Sequence, residues 1–463
     1  MLNPSTKEAI KISLSIGLAI ALALLFQWDK PYWAAVTIIA ISANETFGHG
    51  VKKGQLRLLG TLIGICIALI LISLFSQDQF IFISLFVVFL GISVFFSNHL
   101  KYGYAFTMAF MVFSIVAMMG SASGEVSFNI AILRIQETTL GVLVYSAVYR
   151  FLWPTTTESI YFDTLNIVTK QFEAAYLALE KSLADSKRLT SNSAVPISQV
   201  QVDRLNELLS LPLVASYRLQ HHKAKWQDIT NACGHTEKHI QRLNSLITAV
   251  KCKQTLKDSL EQLQCELTLL KKAIGGDSAD IKMLNEYWNE LAHNSKQNLS
   301  NNPNPNLWQL NLRKAFTAMA ISATCFGLWI YFAIPSGPIF PLIGAALANI
   351  TVQMPGSLIK QAQWVALGWG TLFIAQYSLL LPHITELWQL IAFYVFNMLF
   401  IYGLCRKPSL AVHRMLGGNL LLLMTMNAMH GTPQYDIITP VLMLVIMLIC
   451  LSISHFYVRL FQI

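Results

Sequence analysis

Arg134 and Glu137 lie three residues apart inside an otherwise apolar run from residue 130 to 153. In a helix that spacing puts both on one face, where an ion pair between them lowers the cost of burying either charge. Ionisable groups inside such a run are expensive enough to need a reason. One reason is functional: proton coupling at Glu137, with Arg134 as its partner or as the ligand of an anion. The other is structural, a lock between this helix and a neighbour. A second basic group, Lys52, Lys53 and Arg57 with His49 close by, precedes the apolar run that starts at Leu58. It can act as an electropositive funnel that raises the local anion concentration, although topology alone also places basic residues there. Arg57 differs from the two lysines because it opens a glycine-containing helix. His413 beside Arg414 offers a proton carrier next to a cation, and His99, His383 and His430 lie near segment ends where an interfacial histidine is ordinary. Tyr32, Trp33 and Phe340 supply flat apolar faces for a ring, as an interfacial aromatic belt also would. Cys233, His235 and His239 carry donor atoms at spacings a metal accepts, but a fourth ligand is not evident and His221-His222 is a weak substitute. No metal and no cofactor are expected.

The elements that must hold these residues are set by composition. The chain has 463 residues, of which 54% are hydrophobic and 12% charged. With a mean hydropathy of +0.51, it is too apolar for an ordinary soluble protein. Apolar runs suited to a bilayer of about 30 Å occur at roughly 10–27, 31–44, 58–76, 80–97, 103–120 and 130–153, then at 314–334, 338–353, 364–381, 386–404, 413–429 and 437–458. The second run of each set is short, as a tilted or broken segment would be. The net charge of +9 does not indicate nucleic acid, because residues 156–309 hold 17 Lys and Arg against 16 Asp and Glu. The excess sits in short connections: Lys7, Lys11, Lys52, Lys53, Arg57, Lys101, Arg150, Arg313, Lys314, Lys360, Arg406, Lys407, Arg414 and Arg459 all fall on one side of a twelve-helix arrangement. Lys30 alone falls on the other, with Asp29, Asp78, Glu125, Glu386 and Asp436. The positive-inside rule then puts both termini and the middle region in the cytoplasm. Lys7 and Lys11 precede a first apolar run without a small-residue cleavage site, so it reads as a retained transmembrane helix. Seven scattered cysteines suggest no disulfide framework.

Residues 156–309 are polar and helical by pattern. Ile160, Leu165, Val168, Phe172, Tyr176, Leu179 and Leu183 form an amphipathic stripe, and further periodic stretches cover about 199–222, 233–273 and 279–297. Breaks are expected at Thr190–Pro196, at Gly275-Gly276-Asp277 and at Asn301-Asn302-Pro303-Asn304-Pro305. Pro335-Ser336-Gly337-Pro338 and Pro341 would form a tight loop or a helix break. The pattern predicts a cytoplasmic helical bundle whose first helix continues out of the sixth membrane segment. No phosphate-binding glycine loop is present, which disfavours an ATP-driven pump.

The two apolar sets also repeat one another. Aligning Lys7 with Lys314 puts Pro31 on Pro338 and Trp33 on Phe340; short insertions then put Gly48 on Gly356, Lys52 on Lys360 and Gly60-Thr61 on Gly370-Thr371. Each half holds an even number of segments, so the repeat is parallel, with its axis along the membrane normal and a substrate path between the halves. The expected fold is therefore all-α: a first transmembrane half of six helices (1–155), a cytoplasmic helical domain (156–309) and a second half of six helices (310–463). Leu367 stands where Arg57 would recur, so Arg57 belongs to the first copy alone.

Pro31-Tyr32-Trp33, Arg57-Leu58-Leu59-Gly60-Thr61, and Arg134 to Gly141 followed by Trp153-Pro154 resemble the aromatic acid exporter and fusaric acid resistance family of bacterial inner-membrane proteins. The layout of six helices, a cytoplasmic domain and six more resembles it too, although many family exporters are longer. The resemblance implies efflux of organic, often aromatic, carboxylate anions driven by the proton motive force. It also implies a small organic anion and the lipid bilayer as partners and, in some members, a periplasmic membrane-fusion adaptor. A homo-oligomer is compatible with it, nucleic acid is not, and no enzyme activity is implied. In this frame the substrate path draws on Arg57, Trp33, Tyr32, Lys52, Lys53, Phe340 and Arg414, and proton coupling on Glu137, Arg134 and His413. A passive anion channel is the main rival, since plant malate channels distantly resemble the first half. A non-transporting membrane anchor for a partner-binding cytoplasmic domain ranks last.

Overall fold

The computed structural model of the protein describes residues 3–42, 46–99, 101–120, 124–154, 156–184, 199–212, 216–249, 253–275, 305–332, 334, 337–430, 432–433 and 435–462. The expected helix at 279–297, the breaks at 190–196 and 301–304, and residues 335–336 lie outside them. Every described element is helical: α1 (Pro4–Leu25), α2 (Tyr32–Ser42), α3 (Phe47–Phe75), α4 (Gln79–Phe96), α5 (Gly103–Met119), α6 (Gly124–Phe151), α7 (Thr157–Ala184), α8 (Gln199–Ser210), α9 (Tyr217–His221), α10 (Lys223–Ala249), α11 (Lys253–Gly275), α12 (Pro305–Phe332), α13 (Ile339–Thr351), α14 (Gly356–Leu379), α15 (Leu387–Leu404), α16 (Ala411–Met424) and α17 (Ile438–Leu460). They form two compact units, one from residues 1–45, 50–154 and 302–463, the other from 46–49 and 155–301.

Among the described residues of the first unit, seven helices are long and apolar enough to cross a membrane: α1, α3, α4, α12, α14, α15 and α17. The apolar α2, α5 and α13 are shorter than a full crossing. The other two expected segments are α6, which carries Arg134 and Glu137 mid-run, and α16, which ends at Met424 before a 3-10 turn at Met426–Met429. Large apolar side chains such as Leu74, Phe80, Phe316, Phe396 and Ile438 are exposed on the outside of this unit. A surface of that kind needs a lipid cover rather than water.

Helix ends explain part of the charge pattern. Asp78 caps α4 by accepting from the backbone N–H groups of Phe80 and Ile81, both at 3.1 Å. Glu386 closes a capping box with Gln389 at the start of α15, and Asp436 accepts from the Ile438 N–H at 2.9 Å at the start of α17. These acids satisfy orphan N–H groups and the positive end of the helix dipole, a local cause beside topology.

The helices pack reciprocally. α1 packs on α15 and α12 on α4; α2 packs on α6 and α13 on α17; α2 also meets α16, as α13 meets α5. Close approach of α3 to α5 depends on glycine. A Cβ on Gly60 would sit 2.5 Å from the Ala105 carbonyl oxygen, and one on Gly64 would collide with that of Ala109. α3 begins at Phe47, not near residue 58, so Lys52, Lys53 and Arg57 ride its first turns instead of a loop. No proline interrupts 47–57, and Gly50 leaves room for the Tyr145 ring of α6. α6 stops at Phe151 rather than continuing into α7. Trp153 turns left-handed (φ 41°) and Pro154 cannot donate a helical N–H, while the Lys11 ammonium donates to the Trp153 carbonyl at 2.6 Å.

The second unit is a helical bundle. Leu165, Val168, Phe172 and Leu179 of α7 enter its core with Leu205 and Leu208 of α8, Ile229 and Ile240 of α10, and Leu263 and Leu270 of α11. Ile160 and Tyr176 pack at the edge, and Tyr161 takes the fully buried place, donating to or accepting from the Thr230 hydroxyl at 2.8 Å. The Leu183 side chain lies outside the described residues. The stretch expected to run from 233 to 273 is two helices, α10 and α11.

Candidate functional site

The buried face of α6 runs Ser127, Ile130, Ala131, Arg134, Glu137, Thr138, Gly141, Val144, Tyr145, Val148 and Tyr149, a spacing of three and four that keeps one stripe inward. The two charges sit in the middle of that stripe, 4% and 1% exposed, with Arg134 Nη2 2.7 Å from Glu137 Oε2. Gly141 allows α2 to approach, since a Cβ there would lie 2.7 Å from the Ala34 carbonyl oxygen. That approach lays the Trp33 ring against the guanidinium, with Arg134 Cζ 4.4 Å from the ring centroid, a cation–π distance. The Tyr32 ring lies 5.5 Å from that of Trp33, and Tyr32 is itself buried.

The ion pair is close but under-satisfied. Both Glu137 carboxylate oxygens and the Arg134 Nε lack a hydrogen-bond partner among the described residues. The 2.7 Å approach thus brings opposite charges together without the directed N–H···O contacts that normally accompany a buried pair. A structural lock would be expected to be fully bonded. Spare hydrogen-bonding capacity on a buried cation next to an aromatic face suits a ligand that brings its own carboxylate and ring.

Charge extends from this pair in two directions. Lys30, in the connection between α1 and α2, lies within electrostatic reach of Arg134 and Glu137; burial holds its ammonium below the ordinary lysine value and Arg134 adds to the effect. Arg57 on α3 also acts on Arg134 electrostatically. The Arg57 guanidinium donates to the Tyr104 hydroxyl at 3.2 Å and to Met108 Sδ at 3.0 Å, and the Lys53 ammonium lies 5.0 Å from the centroid of the same tyrosine ring. Lys52 is half-buried on the same helix.

Phe340 goes elsewhere: it is 1% exposed, and its carbonyl accepts from the Cys450 thiol of α17 at 3.9 Å. Arg414 and His413 are half-buried on α16, where Arg414 acts on Tyr402 and Cys405. The structure therefore gathers Tyr32, Trp33, Arg134 and Glu137, joins Arg57 and Lys53 through Tyr104, and leaves Phe340, His413 and Arg414 on other helices. His49 is bound by its Nε2 to Glu207 Oε1 of α8 at 3.1 Å.

Two residues were missed as site candidates. Lys30 was counted only as the lone basic residue of its side. Lys11 was counted as a topology charge, yet it is 4% exposed, its ammonium 5.2 Å from the Tyr149 ring centroid, and Tyr149 stacks on Tyr145 at 4.2 Å. Its placement one turn beyond Lys7 on the apolar face of α1 was the available signal. In the bundle, Cys233 is fully buried, its thiol pushed up to about 12 by burial, and His239 Nδ1 is committed to Glu266 Oε1 at 2.9 Å. Among the described residues no three His, Cys, Asp or Glu converge on a metal-sized site.

Residues 8–195, which contain the whole Trp33–Arg134–Glu137 cluster, match the fusaric acid resistance protein family. Relatives of the family-matching chain carry the name p-hydroxybenzoic acid efflux pump subunit AaeB: one from Musicola paradisiaca is 29% identical over 150 residues, 30% of this chain and 23% of the relative. Another from Pectobacterium atrosepticum is 23% identical over 296 residues, 59% of this chain and 44% of the relative. A third from Yersinia pestis is 26% identical over 245 residues, covering 49% and 35%. The matches thus span less than half the length of these relatives. With the apolar helices, they support a multi-pass bacterial membrane protein.

Proposed function

We propose that the protein exports organic, chiefly aromatic, carboxylate anions across the bacterial inner membrane, energised by the proton motive force. The carrying observation is the buried, under-bonded Arg134 beside the Trp33 ring, a cation and a π-face at 4.4 Å with a carboxylic acid adjacent. Arg134 is the anion ligand, Trp33 and Tyr32 the ring platform, and Glu137 the proton carrier. Arg57, Lys53 and Lys52 form the cytoplasmic approach, while Phe340, Arg414 and His413 contribute from the second half. The names of the relatives support an aromatic acid as cargo. A periplasmic adaptor is a partner that this reading allows.

The accompanying topology is twelve helices in two parallel halves, 1–155 and 310–463, with residues 156–309 and both termini cytoplasmic. Supporting it are the reciprocal contacts, in which the first helix of each set meets the fourth of the other and the second meets the fifth, and the matched short helices α2 and α13.

The test is transport of labelled p-hydroxybenzoate in proteoliposomes under an imposed pH gradient or membrane potential. Uphill accumulation is expected. An anion driven by 100 mV alone reaches about a 50-fold ratio, from about 2.3 kcal/mol per charge. A passive channel reaches that ratio by electrodiffusion, so accumulation that an imposed pH gradient does not change leaves a passive channel and sinks the exporter.

A further inference from the structure

α14 and α17 lie side by side and antiparallel. A Cβ on Gly356 would lie 4.0 Å from Val458 Cγ1, Gln363 Nε2 donates to the Ser452 hydroxyl at 3.1 Å, and a Cβ on Gly370 would lie 2.5 Å from Leu444 Cδ1. That register brings Lys360 level with His455. Lys360 precedes Gln363 by three residues and so shares its face of α14, while Ser452, His455 and Arg459 recur at three and four along α17. The α17 face bounds a crevice of about 380 Å³, open to the outside and lined by Ser452, His455, Phe456, Arg459 and Leu460. The Gln363–Ser452 hydrogen bond closes its inner end.

The crevice is set into a lipid-facing surface. Along the same side, α17 exposes Val441, Val445 and Ile449. At about 1.5 Å per residue, Arg459 lies about 15 Å from Ile449 at the middle of α17, half of a hydrocarbon core of about 30 Å, and His455 lies about 9 Å from it. Arg459 therefore meets the phosphate level, and the flexible stem of Lys360 reaches the same level from slightly deeper. No carboxylate answers these two cations. α17 and the helices α12, α13, α14 and α16 packed on it contain no Asp or Glu. Lys360 and Arg459 are both exposed, so a charge of plus two faces outward without compensation.

We propose that this crevice is a binding site for one anionic phospholipid. Its phosphate lies between Arg459, which offers a planar fork of donors, and the Lys360 ammonium. The His455 ring N–H donates to an ester carbonyl of the glycerol backbone, and the acyl chains run over Phe456 and Ile449. A zwitterionic headgroup brings an ammonium that two uncompensated cations repel, whereas a glycerol headgroup brings none. A second copy of the chain suits the face less well, because a two-fold contact would set Lys360 and Arg459 against their own copies with no acid on these helices to pair with them. The site depends on α17 crossing a bilayer and is independent of the anion reading of Arg134.

The test is native mass spectrometry of the purified full-length protein, released from dodecyl maltoside micelles that contain phosphatidylglycerol, phosphatidylcholine or, without either lipid, inorganic phosphate. One phosphatidylglycerol per chain is expected to stay bound, about tenfold or more tighter than phosphatidylcholine. Lys360→Gln and Arg459→Gln should each weaken it about fivefold, the share of one cation near the membrane surface. Lys101→Gln, an exposed cation elsewhere, should leave it unchanged. The wild-type preference is read whether or not a variant folds. Equal retention of the two lipids, or a loss in Lys101→Gln as large as that in Arg459→Gln, reduces the effect to diffuse charge and overturns the site. Inorganic phosphate held as tightly as phosphatidylglycerol makes this an ion site and overturns the lipid. A dimer that Arg459→Gln dissociates, with no lipid retained, gives the face to a second copy and overturns the proposal as well.

Discussion

Removing Arg134 while leaving Glu137 in place should be among the most damaging single changes in the chain. At 2.7 Å, the gross attraction of the pair is about 6 kcal/mol for an effective dielectric constant of about 20. Burying both charges cancels much of that, so the pair contributes little net stability, yet breaking it strands a carboxylate that is 1% exposed. Such a break costs about 3–5 kcal/mol, whereas replacing both partners with neutral groups of similar volume is often neutral or stabilising. Arg134→Met should therefore destabilise the detergent-purified protein by about 3–5 kcal/mol, and Arg134→Met with Glu137→Gln by less than about 1 kcal/mol. Because Glu137 already lacks directed hydrogen bonds, the lower end of that range is the expected one. Equilibrium unfolding in mixed SDS micelles, followed by tryptophan fluorescence, gives all four corners of the double-mutant cycle. Additive losses, or a single-variant loss under about 1 kcal/mol, would show that water or another group already compensates Glu137, and would refute the buried-pair argument.

Other consequences are more local. Gly64→Ala drives a methyl group into the Ala109 backbone carbonyl, which cannot yield as a side chain would, so a loss of about 1–3 kcal/mol and a reduced folded fraction on size-exclusion chromatography are expected; unchanged folding would contradict the α3–α5 contact. Burial, with Lys238 adding to it and Glu266 opposing, holds His235 below the ordinary histidine value. The folded bundle then binds fewer protons there than the unfolded chain as pH falls through about 6.5, so this contribution is full above that pH and lost on acidification. Hydrogen-exchange protection of α10 should fall between pH 7 and 5.5, and His235→Asn should flatten the fall; Glu237, which burial pushes up, has the opposite sign, so both are measured in a Glu237→Gln background. A level profile in that background refutes the assignment. Maleimide at neutral pH should label exposed Cys265 within minutes and reach Cys233 only after denaturation, because burial both hides the Cys233 thiol and pushes it up to about 12; rapid labelling of both argues against the bundle core.

The parts of the fold that could be read from the chain are those with a local cause. Hydrophobic runs gave the helices, and a spacing of three put Arg134 and Glu137 on one face. What stayed hidden depends on contacts between distant residues. Nothing near Trp33 announces that Gly141 lets α2 close onto α6 and lays the indole on a guanidinium 101 positions later. Lys11 matched the positive-inside pattern so well that its burial against Tyr149 had no separate signal. The start of α3 at Phe47 was hidden by polar residues whose charge suggested a loop, although helix formation tolerates lysine and arginine readily.

The asymmetry between the two sets of helices bears on mechanism more than their likeness does. α17 meets α13 as α6 meets α2, but between Ile438 and Leu460 it carries no acid, and its only arginine, Arg459, is at the far end. Phe340, which the expected repeat aligns with Trp33, is buried, and its backbone carbonyl accepts from the Cys450 thiol. Two copies of an ionic site would have to load and empty in concert, and each would bring its own desolvation cost. In the proposed exporter, one charged site set against an apolar counterpart would give a single place for the anion to bind. On the proposed export reading, substitutions at Trp33, Arg134 and Glu137 should therefore govern the anion, while those at Cys450 should govern only packing.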